Sequence, residues 1–121
     1  MRILIVDDSV IMRKMIRRVF VIAGVPIDEI FEAGNGAEGL AVLERHDIDV
    51  LLTDISMPVM TGTELLREIA NKSRWRNLRR VIISTDGSAA RRDEAAGLDV
   101  RCYLDKPLSP EVIRDVLNEV A

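Results

Sequence analysis

Four places in the chain put residues that can handle an oxyanion directly after short apolar runs. Asp7-Asp8 follow the first run and Asp54 follows another. Ser84-Thr85-Asp86 close a third, and Asp105-Lys106-Pro107 a fourth. If Asp7, Asp8 and Asp54 share one cleft they repel. Two unit charges ~5 Å apart cost roughly 3 kcal/mol at an effective dielectric near 20. A hard divalent cation with oxygen ligands, Mg²⁺ above all, is the natural counter-charge, and Lys106 brings a second positive charge. A lone acid before a helix is often only an N-cap, and Asp8 fits that description. Three acids, a hydroxyl and a lysine, all at the ends of apolar runs, fit a site better than a set of caps.

Those runs read as strands. They are Ile3–Val6, Ile30–Ala33, Val50–Thr53, Val81–Ser84 and Val100–Leu104. Three are almost wholly apolar, which suits parallel strands buried on both faces. Amphipathic stretches lie between them. Met12, Met15, Ile16, Val19 and Phe20 recur at helical spacing, with Arg13, Lys14, Arg17 and Arg18 opposite. A second helix is predicted over about Ala37–Arg45. A third follows Thr61 as N-cap, and a short polar fourth spans Ala89–Ala96. A last one begins at Ser109-Pro110, an N-cap followed by proline at the first helical position. The pattern is β-α repeated five times: an α/β fold with a doubly wound, five-stranded parallel sheet in a single domain over residues 1–121. Such sheets bind ligands beyond the carboxyl ends of their strands, where the acids, the hydroxyl and the lysine fall.

Composition narrows the function classes. A formal net charge of −3 argues against a broadly basic nucleic-acid binder, so no direct nucleic-acid binding is expected. One cysteine, Cys102, allows no internal disulfide and is read as a small core residue. The first apolar run is too short for a secretory leader, and the stretch Val19–Ile27 is broken by Gly24 and Pro26. The expectation is a cytoplasmic protein without membrane contact. Aromatics are only 3% (Phe20, Phe31, Trp75 and Tyr103), so the core must be aliphatic.

The sequence resembles the receiver domain of bacterial two-component response regulators along its whole length. The resemblance rests on Asp7-Asp8, on Asp54 followed by Met57-Pro58 and Gly62, on Ser84, and on Lys106-Pro107. It implies a flavodoxin-like fold with strand order 2-1-3-4-5. It also implies that Asp54 accepts a phosphoryl group from a phosphohistidine, on a sensor histidine kinase or a histidine phosphotransfer protein. Mg²⁺ would be held by Asp8, Asp54 and the carbonyl of Ser56, with Asp7 as a further or water-mediated ligand. Lys106 would pair with the phosphoryl group, and the Lys106–Pro107 bond is expected to be cis. The family's spacing selects Ser84 over Thr85 as the phosphoryl-binding hydroxyl, and a shift of one residue on a strand would turn the side chain to the other face. Tyr103 falls at the switch aromatic; its alternative reading is an edge-strand tyrosine with a wet hydroxyl. The output surface toward a downstream protein would be the fourth helix, fifth strand and fifth helix, with Arg91, Arg92, Arg101 and Tyr103 as candidates. Ser56 and Asp86 are candidates for tuning dephosphorylation.

The implied function is a phosphorylation-dependent signalling switch, stand-alone and chemotaxis-like, rather than a turnover enzyme. An alternative is a receiver excised from a longer regulator. A Mg²⁺-dependent aspartyl phosphatase is disfavoured because Ser56 stands where a second acid is needed. A flavodoxin-like cofactor binder lacks a phosphate loop after the first strand, and the intact acid-hydroxyl-lysine set speaks against a pseudo-receiver. Two features stand outside the resemblance. Lys72, Arg74, Arg76, Arg79 and Arg80 are five cations within nine residues, with Trp75 among them. They read as a solvated loop whose tryptophan covers the core edge, or as a patch on which nucleic acid stacks. His46 reads as a surface residue at a helix end.

Overall fold

The computed structural model describes residues 1–55, 57–84, 97–106 and 108–120. Five strands, β1 (Arg2–Val6), β2 (Glu29–Ala33), β3 (Val50–Thr53), β4 (Arg79–Ser84) and β5 (Val100–Asp105), form one sheet. All pairs are parallel and the order is β2-β1-β3-β4-β5. The chain leaves β1 toward one edge and returns to β3 on its other side, so the switch point lies between β1 and β3. The expected fourth helix, with Arg91 and Arg92, lies outside the described residues.

Alternation along the central strands divides the core in two. Leu4, Val6, Leu51 and Ile82 face one way, against α2 (Gly36–Arg45) and α3 (Gly62–Ala70). Ile3, Ile5, Leu52, Val81 and Ile83 face the other way. There they meet Ile16 and Phe20 of α1 (Val10–Ala23) and Ile113, Val116 and Leu117 of the C-terminal helix (Pro110–Val120). The helix ends follow local chemistry. Ser9 caps α1, accepting from the Met12 N–H at 3.1 Å, and Gly24 closes it in the left-handed region at φ 71°. Thr61 and Glu64 form a reciprocal capping box at α3. Ser109 accepts from the Val112 N–H at 3.2 Å at the start of the C-terminal helix.

Three sequence expectations change. Met15, placed inward by periodicity, is 49% exposed, because Ile16 and Phe20 fill the seam. The fourth strand begins at Arg79, two residues before the apolar run, since Arg79 and Arg80 already pair with Val50 and Leu51 of β3. Arg80 does not belong to a solvated loop: it is buried, while Lys72, Arg74, Arg76 and Arg79 are exposed. Trp75 does cover the core edge, on a single 3₁₀ turn (Ser73–Trp75). His46 is exposed at the end of α2, its ring 4.4 Å from that of Phe31. Cys102 is half-buried against the core.

Candidate functional site

Parallel pairing places the acids. Val6 lies opposite Thr53, so the residues that follow them are neighbours at the same end of the sheet. Both keep their backbones in the ladder: the Asp7 N–H donates to the Ala33 carbonyl at 3.0 Å and the Asp54 N–H to the Val6 carbonyl at 2.9 Å. From β5, Lys106 joins them, its N–H donating to the Ser84 carbonyl at 3.1 Å. Its Nζ then donates to Asp7 Oδ2 at 2.6 Å and to Asp54 Oδ2 at 3.1 Å. The other carboxylate oxygens are also engaged. Asp7 Oδ1 accepts from the Ser9 N–H at 2.9 Å and Asp54 Oδ1 from the Ile55 N–H at 2.7 Å. The lysine side chain is 8% exposed, that of Asp7 3% and that of Asp54 13%. Burial alone pushes the Lys106 ammonium pKa down. Hydrogen bonds and charge from Asp7 and Asp54 outweigh it and leave the pKa above the ordinary lysine value.

Asp8 completes the cluster from the exposed side. Oxygens of Asp7, Asp8 and Asp54 lie within 4.8 Å of one another. Asp8 is not the helix cap, because Ser9 takes that role. Three carboxylates therefore face one ammonium, and their hard oxygen donors fit Mg²⁺. Ser84 is buried at the end of β4, opposite Asp105. Tyr103 sits two residues before Asp105, opposite Ile82, half-buried against the α2/α3 side of the core. Ser56, Thr85, Asp86 and Pro107, and the side chain of Arg101, lie outside the described residues.

Several supporting roles escaped the sequence reading. The Arg13 guanidinium donates to the Asp7 main-chain carbonyl at 2.6 Å and to Glu32 at 3.0 Å, tying α1 and β2 to the acid pair. Its place four residues after the cap was visible, but not its direction. Gly62 donates its N–H to the Ile55 carbonyl at 2.8 Å, and a Cβ there would overlap the Asp54 carbonyl oxygen. Between them, Val59 holds φ at 69°, and the Met60 N–H closes back on the Pro58 carbonyl at 2.8 Å. This is a tight, strained turn for a β-branched residue. Gly36, under Met60, has no room for a Cβ.

A five-stranded parallel sheet of this order, with acids after β1 and β3 and a lysine after β5, defines a flavodoxin-like α/β domain with an acidic pocket at its switch point. The response regulator receiver domain family matches residues 3–118, and the chain belongs to that family. It is 32% identical to a chemotaxis protein CheY homolog of Campylobacter jejuni, over 99% of this chain and 92% of that protein. It is 33% identical to chemotaxis protein CheY1 of Helicobacter pylori, over 99% and 96%. Among solved structures, chemotaxis response regulator CheY4 of Vibrio cholerae superimposes with a TM-score of 0.85 at 30% identity, covering 99% of this chain and 98% of that one.

Proposed function

We infer that this receiver domain is a signalling switch whose state is the phosphorylation of Asp54. The observation that carries the reading is the Lys106 ammonium, which reaches from β5 to both Asp7 and Asp54. It joins three strand ends into one pocket in which a single ammonium faces three carboxylates, leaving negative charge for a cation to offset.

The Asp54 carboxylate is the nucleophile. One of its oxygens bonds to the phosphorus of a phosphohistidine on a kinase or phosphotransfer domain as the phosphorus–nitrogen bond breaks. The electron pair leaves with the imidazole, and Asp54 becomes an acyl phosphate. Transfer of this kind depends on alignment and charge neutralisation more than on covalent help. Asp7, Asp8 and Asp54 would hold Mg²⁺, which when bound supplies positive charge to the phosphoryl oxygens. Lys106 exchanges its contact with Asp54 for one with the phosphoryl group and stays anchored by Asp7. Ser84 provides a hydroxyl on the β4 side. Tyr103, on the next strand, is the candidate to follow Ser84 and alter the β5 face toward a downstream protein. Ser56 and Asp86 remain candidates for tuning dephosphorylation. The 32–33% identity to chemotaxis proteins over 99% of this chain supports a target of the chemotaxis type. No helix among the described residues is long and apolar enough to cross a membrane.

Incubation with acetyl phosphate and Mg²⁺ tests the reading. Intact-mass spectrometry is expected to show one added phosphoryl group, released by alkali or hydroxylamine, with none in Asp54→Ala. Absence of the adduct, or equal labelling of the variant, overturns it.

A further inference from the structure

The opposite end of the sheet carries a feature the switch does not use. No Asp or Glu occurs between Glu68 and Asp86, while Lys72, Arg74, Arg76, Arg79 and Arg80 do. The stacking reading fails on geometry. Trp75 is 8% exposed, and the Arg74 guanidinium lies 5.0 Å from its ring centre, so no base can stack there. Instead, Arg76, Asn77, Leu78, Arg79, Arg80 and Asp99 line a cavity of about 390 Å³.

Arg80 is the built part of this cavity. Its side chain is 4% exposed. One terminal nitrogen donates to Asp99 at 3.0 Å and the other to the Trp75 carbonyl at 2.9 Å. Its Nε is buried and has no partner among the described residues. The compensating Asp99 carboxylate is 84% exposed, where solvent weakens its hold. Arg76 and Arg79 form no ion pair among the described residues. Three guanidiniums thus meet one solvated acid in a cavity whose only apolar lining residue among the described residues is Leu78.

We propose that this cavity binds a phosphate-bearing small molecule carrying about two or more negative charges. The planar forks of Arg76 and Arg79 suit phosphoryl oxygens, and Asn77 adds an amide donor. Arg80 stands behind them as a charge fixed by burial. The volume lies within the ~300–1,000 Å³ typical of small-molecule sites, and the polar lining disfavours an apolar ligand. The site is separate from the phosphoacceptor: Arg80 and Ser84 sit at opposite ends of β4, roughly 13 Å apart at strand rise.

Titration of the whole chain in EDTA with inorganic phosphate, pyrophosphate and ATP tests this, read by calorimetry and by fluorescence of Trp75, the only tryptophan. Saturable one-site binding is expected for at least one probe. It should weaken roughly tenfold or more in Arg76→Ala/Arg79→Ala and less than about twofold in Lys14→Ala/Arg18→Ala, which removes equal exposed charge from α1. Equal affinity for all three probes assigns the site to a single phosphoryl group. Tighter ATP assigns it to a nucleotide. Asp54→Ala should bind as the parent does, so failure of the switch mechanism and failure of this site are told apart. No saturation by roughly 10 mM, or equal weakening by both double variants, overturns the proposal.

Discussion

The two ends of the sheet are charged in opposite senses and reach that state by opposite routes. At the carboxyl end, Asp7 and Lys106 are 99 residues apart in the chain and 2.6 Å apart in space. Their charges are buried and opposite in sign, and the carboxylate also accepts from the Ser9 N–H. At the amino end, the cations are neighbours in sequence and like in sign, and all but Arg80 among residues 72 to 80 are exposed. Proximity along the chain yields a solvated patch, whereas convergence through the sheet yields a fixed pocket. A net charge of −3 averages over both and describes neither.

The largest expected effect that breaks this contrast is at Gly62. Gly62→Ala drives a methyl into the Asp54 carbonyl and should cost about 3 kcal/mol or more in urea unfolding, the upper range for overpacking. It should also slow labelling from acetyl phosphate.

Next come Lys106→Met, which strands the buried carboxylate of Asp7 and that of Asp54, and Arg80→Met, which strands the buried Trp75 carbonyl, each expected to lose about 2 kcal/mol. They should differ in their response to metal. Millimolar Mg²⁺ is expected to restore part of the Lys106→Met loss, by occupying the freed acids, and none of the Arg80→Met loss. Restoration of both, or of neither, removes the distinction between the ends. The sign with pH follows from the raised Lys106 pKa. Its contribution is complete below the ordinary lysine value of 10.5 and is lost as pH rises through the higher folded value. In EDTA, the stability gap between parent and Lys106→Met should therefore close only in strongly alkaline buffer.

Val59→Asn should act in the opposite direction, gaining about 1 kcal/mol by replacing a β-branched residue at positive φ with one that tolerates it. Thermal unfolding measures it, and a loss would show that the turn is held by the valine itself.

The smallest effect is at the amino end. The N-terminal ammonium hydrogen-bonds to Asp28 at 2.6 Å and holds that carboxyl below its ordinary 3.8. This contribution is present above 3.8 and is lost as pH falls through the lower folded value. Asp28→Asn should lower the melting temperature slightly at neutral pH and not at all in strong acid.

Legibility differed by kind of signal. Apolar runs and caps were readable because they act over a few residues. Ser109-Pro110 and Thr61 start their helices as the residues imply, and the acids and lysine stand at strand ends as the runs predicted. Met15 was misplaced because periodicity assigns a face but cannot see which neighbours fill it, and Arg80 because a run of cations reads as solvated whereas the strand pairing buries this one. The roles of Arg13, Gly62 and Val59 were not readable, although Gly62 stood among the motif residues, because they are contacts with backbone atoms distant in sequence or an unusual backbone angle. No residue type announces those.

By itself, then, the sequence determined the β-α alternation, the aliphatic core and the identity of the charged groups, since these depend on side-chain type and short-range spacing. Only the tertiary structure decided that Lys106 bridges Asp7 and Asp54, that Ser9 and not Asp8 caps α1, and that Arg80 is buried beside a cation-lined cavity. Those outcomes depend on the order and register of parallel strands. That order brings residues tens of positions apart within hydrogen-bond distance, and local physics cannot specify it.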